Sequence, residues 1–557
     1  MGKPVMKRHW PGRMVLFVWA CFPLLTDAMT APEAPAAWQT EFIDLAVELD
    51  PLHGSLRGDA RLLLKHPGSG DDAVSLELNH QLQVESVTDE TGRPLVFRQS
   101  GDSLSVLPQK RAAATPLRVI RLRYRGSFFE RIPELNMRNA WIGPQVSFAF
   151  HSSRWYPQSP EPFRGSRGNI SYLVPADWTV ASTGKLAATE TPPGAKRCVF
   201  AVHSPSEFSF AAAAFVHRRQ QLNGLEFNIF LLKGDQNKID FYMQRCMQVI
   251  AFFREFYGSF PYDAYSMVEI YPDLLGQAGA GSYGNLTFFP TQILPERFFY
   301  APVFAHEISH CWWGSCVRGV EGPVINEGLA QISMGVYLEH VMGSTFYWDL
   351  LKNGAPKYLV LHSARLFFRN LQLPKIKGTS LEALLMRGED LELGLPAKDK
   401  FTTLHMLSSS KGFFVFAMLR EWIGAEAFRQ GLRSAQADFA WKAMSLDDLR
   451  RTFEEASGTD LQWFFEQWFR RKGAPEFAID CWFAQRSKFW LVQVMVSQLR
   501  DVYRVRAEIA FKRGLFREIR TIEITAKETK FSFLLPFRPQ SVSFDPDYKI
   551  LRWSDQF

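Results

Sequence analysis

Apolar and polar residues alternate with a period of two through much of the first 220 residues: Ile43, Leu45, Val47 and Leu49 are separated by polar neighbours, and similar runs recur at residues 117–124 and 169–174. Gly and Pro punctuate these runs, so the pattern predicts an all-β N-terminal domain over residues 38–219. Around Leu222 the period changes. Ile239, Tyr242, Cys246, Ile250, Phe253 and Tyr257 fall on one face of a helix, and helical spacing dominates from there to Lys472. Ser445 with Asp448 ahead of Leu449 predicts a capping box, and Gly473 followed by Pro475 predicts a stop. Alternation then returns, with Val542 and Phe544 before the turn at Asp545, Pro546 and Asp547. The expected architecture is a multidomain α+β chain: β-sheet domain, helix-rich module over residues 220–474, and a C-terminal β-sandwich over residues 475–557.

Composition leaves this picture standing. With 46% hydrophobic and 22% charged residues in 557, the chain is neither a disordered tail protein nor a polytopic membrane protein. Residues 1–31 change the reading of the charge. They hold a basic start through Arg13, an apolar run over residues 14–25, and small residues at Thr26, Ala28 and Ala31, the three parts of an export signal cleaved near residue 28. Lys3, Lys7, Arg8 and Arg13 against Asp27 account for three of the seven net positive charges (4 − 1 = 3), which leaves about four for the remainder. That excess is too small for a nucleic-acid footprint.

The predicted location is therefore periplasmic or extracellular, with an uncleaved anchor, or lipidation at Cys21, as the alternative. No later run is apolar enough to span a bilayer. Beyond Cys21 the cysteines are Cys198, Cys246, Cys311, Cys316 and Cys481, an odd, scattered set that is no disulfide framework. Asn169 with Ser171 and Asn285 with Thr287 are acceptor sequons for a host that glycosylates.

Candidate chemistry centres on His306, Glu307, Ile308, Ser309 and His310, set in helical-period apolar residues after Pro302. Histidines four apart share a helix face, so both imidazoles can reach one zinc ion at about 2.0–2.1 Å. Either histidine alone would read as an ordinary core or surface residue; the pair with Glu307 between them does not. Glu327, within Asn326, Glu327, Gly328, Leu329 and Ala330, opens a second helical run that would return it to the ion as third ligand. Glu307 is then placed to accept a proton from an attacking water and pass it to a leaving amine.

These residues resemble the aminopeptidase N family of zinc metallopeptidases, a gluzincin group with an HExxH helix and a downstream Asn-Glu-Gly. The resemblance covers nearly the whole chain after the leader. Trp155, Tyr156 and Pro157, then Val174, Pro175, Trp178 and Gly184, are similar to the family's β domain, and His310, Cys311, Trp312, Trp313 and Gly314 to its motif helix. Ser457, Gly458, Asp460 and Leu461, with Phe465, Trp468, Gly473 and Pro475, resemble the close of the catalytic module. The resemblance implies a saddle-like N-terminal sheet, a thermolysin-like catalytic domain with a helical extension, one Zn2+ ion and a peptide substrate.

Three departures matter, and the last two bear on chemistry. The 16 residues between His310 and Glu327 form a shorter connection than the family's usual one. The family's substrate loop, whose Glu holds the free amino terminus, matches Gly279, Ala280, Gly281, Ser282 and Tyr283, with Ser282 in place of that Glu. A hydroxyl cannot pair with an ammonium group as a carboxylate does. The family's oxyanion-binding Tyr is replaced where Ser409, Ser410, Lys411 and Gly412 stand, with Tyr283 and His405 as the candidate substitutes. The expectation is an exported zinc metallopeptidase with relaxed demand for a free amino terminus. The alternatives are a catalytically weak zinc- and peptide-binding relative, and a zinc hydrolase of another substrate class.

Overall fold

A computed structural model describes residues 38–66, 73–107, 117–132, 137–160, 165–271, 280–290, 300–344, 390–395, 401–547 and 549–552. The predicted export signal, with Cys21, lies outside them. The alternating N-terminal segments are strands. Gln39–Asp50 buries Ile43, Leu45, Val47 and Leu49, pairs antiparallel with Ser55–Lys65 and parallel with Ser166–Pro175, and so sits inside a seven-stranded sheet. At the parallel crossing the backbones approach closely: a Cβ on Gly168 would lie 2.1 Å from the Ile43 carbonyl oxygen, so only glycine fits. A five-stranded sheet packs beside it, and its strand Phe210–Ala213 is buried throughout.

A second five-stranded sheet begins with the hairpin Val216–Leu222 and Leu225–Leu231. It continues in parallel through Ala264–Ile270 and Leu286–Pro290 and ends on the short antiparallel edge strand Gly281–Tyr283. Three of these strands interrupt the stretch that periodicity assigns to helices. All three are buried along their whole length, so they show no alternation to read.

Helix α1 (Ile239–Tyr257) lays its predicted stripe on this sheet, with Ile239, Tyr242, Cys246, Ile250, Phe253 and Tyr257 all buried. Six further helices are described: α2 (Tyr300–Ser309), α3 (Leu329–Met342), α4 (Phe401–Ile423), α5 (Ala425–Phe439), α6 (Leu446–Ser457) and α7 (Gln462–Phe469). Ser445 caps α6 as its sequence predicts, accepting from the Asp448 N–H while Asp448 accepts from the Ser445 N–H. Two three-stranded sheets follow. One hydrophobic core runs without a break from α1 through the helices to Val494 and Ile509 of these last strands, while the seven-stranded sheet has a core of its own. The chain is a multidomain α+β protein in which the edge strand and α2–α4 enclose the candidate site. Among the described residues, no helix is long and apolar enough to cross a membrane.

The N-terminal β domain is tied to the second sheet by one buried amide. Asn285 accepts from Gly184 N–H and donates to the carbonyls of Gly184 and Ala264, at 2.9–3.0 Å. This removes Asn285 as a glycosylation site in the folded protein, since its side chain is enclosed and fully used.

Candidate active site

His306 lies in the last turn of α2 and His310 one turn on. Their rings stand at 89° with Nε2 atoms 3.2 Å apart. Glu327 arrives on a π-helical turn, Val324–Gly328, just ahead of α3. Such a turn carries one residue more than an α-turn and recurs at functional sites. It brings Glu327 Oε2 to 3.6 Å from His306 Nε2 and Oε1 to 3.6 Å from His310 Nε2. The short connection between His310 and Glu327 therefore still brings the predicted third ligand to both histidines.

These spacings fit a metal. A tetrahedral ion with bonds of about 2.0–2.1 Å has ligand-to-ligand edges of roughly 3.4 Å, against 3.2–3.6 Å here. The donor set of two imidazoles and a carboxylate is one that zinc takes. Glu327 is fully buried, and its Oε1 has no hydrogen-bond partner, an arrangement that a cation between the three side chains would relieve.

The histidines are prepared as neutral ligands. His310 Nδ1 lies 3.0 Å from the Trp313 carbonyl, so that nitrogen carries the proton and Nε2 presents a lone pair. Burial pushes His310 down to about 4, against the opposing charge of Glu327, and His306 down to about 3, against a contact with Gln331. His306 Nδ1 and Gln331 Oε1 are both buried short of a regular hydrogen bond, and Gln331 is the polar group that acts on the His306 ring. Gln331→Ala is expected to weaken zinc binding about tenfold, the low end for an outer partner of a ligating histidine, as read by chelator competition. Unchanged affinity would remove Gln331 from the site. Its sequence signal is the one amide in the mostly apolar, fully buried start of α3, where Ser333 is the other polar side chain.

Glu307 is buried on α2. Ser282 Oγ reaches its carboxylate Oε2 at 3.1 Å and its carbonyl at 2.8 Å, and Thr287 Oγ1 lies 3.0 Å behind. With Ser282 donating forward, Thr287 donates to Ser282, and the two hydroxyls hold Glu307 in place.

Ala280 and Gly281 are buried beside Ser282, and Gly279 lies outside the described residues. Tyr283 faces the other way. Neighbouring strand residues point to opposite sides of a sheet, and Tyr283 stacks on Phe150 at 4.5 Å, so it does not face the cluster as the sequence analysis allowed.

Helix α4 supplies the remaining wall. His405 and Ser409, one turn apart, approach Glu327 Oε2 at 3.8 and 3.4 Å. Burial lowers the pKa of His405 despite the nearby charge of Glu327. Lys411, on the same helix, makes a buried ion pair with Asp390 at 3.0 Å, and Asp390 also accepts from the Gly473 N–H. That pair anchors α4 to the segment ending the helical module.

Residues 241–468 match the family model described as the Peptidase family M1 domain. Aminopeptidase M1-A of Oryza sativa subsp. japonica is 22% identical over 366 residues, covering 62% of this chain and 39% of that protein. Aminopeptidase N of Lactococcus lactis subsp. lactis is 26% identical over 268 residues, covering 45% and 29%. Among solved structures, Legionella pneumophila aminopeptidase A in complex with aspartic acid superposes with a TM-score of 0.71 at 17% identity, over 94% of this chain and 60% of that one. A mutant M1 zinc metallopeptidase from Deinococcus radiodurans, bound to a Tyr-Ser-Ala substrate, gives 0.61 at 16% identity, over 78% and 94%. The chain spans at most about two fifths of the length of these curated relatives. The family match takes in every residue of the cluster just described, from Ser282 to Ser409, and over that segment the chain is similar to the peptidase family M1 domain.

Proposed function

We propose that the protein is a one-zinc metallopeptidase that cleaves peptide bonds without requiring a free amino terminus, and that it acts after export. The observation that carries this is the convergence of His306, His310 and Glu327 on one point with Glu307 locked beside them. Zinc held there supplies a Lewis acid and a water acidified to near neutrality. Glu307 takes the proton from the attacking water and returns it to the departing nitrogen. Ser282 and Thr287 keep its carboxylate from swinging away between those two transfers.

The strand Gly281–Tyr283 is the edge of its sheet, so its outer backbone groups suit an extended peptide added as a further strand. The Ser282 hydroxyl is engaged with Glu307, which leaves no carboxylate at that position for a substrate ammonium group. The leader-like pattern of residues 1–31 is the support for export.

A peptide and its N-acetylated form, compared at matched sequence, test the specificity. A charge-assisted bond to an amino terminus is worth about 1.5–3 kcal/mol, or roughly 10- to 150-fold. The two peptides should instead differ by less than about threefold in kcat/KM. A preference for the free amine above tenfold would contradict the reading. A second reading, a zinc- and peptide-binding protein with little turnover, is favoured by Ser409, whose hydroxyl leans on Glu327 rather than away from it. Peptide affinity with no zinc-dependent cleavage would select it.

A further inference from the structure

A β-strand carries hydrogen-bonding groups on both margins, and a strand at the edge of a sheet leaves one margin open to a further strand. One of the two C-terminal sheets runs in the order Phe477–Arg486, Phe489–Gln498, Glu528–Leu535, so Phe477–Arg486 is an edge. It pairs with Phe489–Gln498 along its whole length, from Phe477 with Gln498 to Arg486 with Phe489, without a shift in register. Among the described residues, no backbone hydrogen bond from outside the sheet reaches it. Edge strands are commonly blunted by a bulge, a proline or an inward-pointing charge. This one has none of the three, and the five residues from Trp482 to Arg486 are all exposed.

The outer face of the sheet is also apolar. Val492, Val494 and Val496 turn inward and are buried, opposite Phe483, Cys481 and Ile479. The alternate residues therefore turn outward. They include Trp482, Ala484, Phe489, Leu491 and Leu534, and Trp482, Phe489 and Leu534 are each about half exposed. Exposed apolar residues gathered in one patch mark an interaction surface.

Charge on the edge strand is confined to Asp480 and Arg486, both exposed on that outer face and three residues to either side of Phe483. This spacing is complementary to itself. When two copies of a strand lie antiparallel about a two-fold axis, facing residues share a face of the sheet, so the axis passes through a residue and not between two. Centred on Phe483, Asp480 faces the partner's Arg486 and Trp482 faces the partner's Ala484, and each pair occurs twice. Opposite charges facing across two strands are favourable, and like charges are not. Neighbouring registers lose this match: centred on Trp482, Asp480 faces Ala484, and centred on Ala484 it faces beyond the strand's end at Arg486.

We propose that this edge is a dimer interface. Two copies of the chain pair antiparallel through Phe477–Arg486, centred on Phe483, so that three strands from each copy join in one sheet and their apolar outer faces become continuous. The assignment is independent of the metallopeptidase reading, since no residue of the strand belongs to the zinc cluster.

Sedimentation velocity of the full chain, from nanomolar to high micromolar protein, reads the assembly. Wild type should pass from monomer to dimer over that range. Asp480→Arg and Arg486→Asp each turn both cross-axis attractions into repulsions, and each should raise the dimer dissociation constant by about tenfold or more. The double variant Asp480→Arg with Arg486→Asp restores both pairs with their signs exchanged, and should return the constant to within about threefold of wild type. Both positions are exposed, so the thermal unfolding midpoints of the monomers should match, and the double variant serves as the folded control for the single ones.

A wild type that stays monomeric at the highest concentration would overturn the proposal, including one that stays monomeric while adsorbing to lipid vesicles through this face. A dimer indifferent to both single substitutions would overturn it as well, as would a double variant no tighter than the single ones.

Discussion

Glu307→Gln is expected to lower kcat by about 10²- to 10⁴-fold, the range for removing a group that both accepts and returns a proton, while zinc remains bound in equimolar amount. The substitution is close to isosteric. The amide oxygen still accepts from Ser282, which lies 3.1 Å from the carboxylate, and neither histidine nor Glu327 loses a contact. Steady-state rates on zinc-loaded protein, with metal content measured on the same sample, check both halves. Turnover equal to wild type would remove Glu307 from the chemistry; loss of zinc would make its role structural.

The second large effect concerns Glu327. Zinc that binds only the folded chain stabilises it by about 4 kcal/mol at a free concentration 1,000 times Kd. Glu327→Gln replaces a buried anionic ligand by a neutral amide, and at the same zinc concentration that stabilisation should nearly vanish. Without metal the order reverses. The wild-type carboxylate is fully buried with one oxygen unpaired, a burden the amide does not carry. The variant should therefore be at least as stable as wild type when both are stripped of metal. Thermal unfolding of both proteins, with zinc and with chelator, reads this crossing. An equal gain from zinc in the two would place the metal elsewhere.

The legible part of the site was the part written locally. His306, Glu307 and His310 sit within five residues on one helix, and helical period alone brings the histidines to one face. Glu327 followed from the helical run it precedes, although the π-turn that aims it has no sequence mark. The N-terminal strands showed because one face of each is exposed and the other buried. Ala264–Ile270, Gly281–Tyr283 and Leu286–Pro290 did not show, because burial on both faces erases the alternation.

The functional contacts made between distant segments were hardest to read. Ser282 was identifiable as a lost carboxylate, yet its bond to Glu307 depends on the edge strand packing against α2. His405 entered as one of two candidate substitutes for the family's tyrosine. Strand geometry pointed Tyr283 at Phe150 and away from the cluster, and helix geometry put His405 beside Glu327.

Titrating metal-free protein with zinc while following cleavage of a single peptide tests the central claim most directly. The rate should rise linearly and level at one equivalent, with no response in Glu307→Gln under the same titration. Cleavage that ignores zinc, or one bound equivalent that produces none, would contradict a one-zinc peptidase built on His306, His310, Glu327 and Glu307.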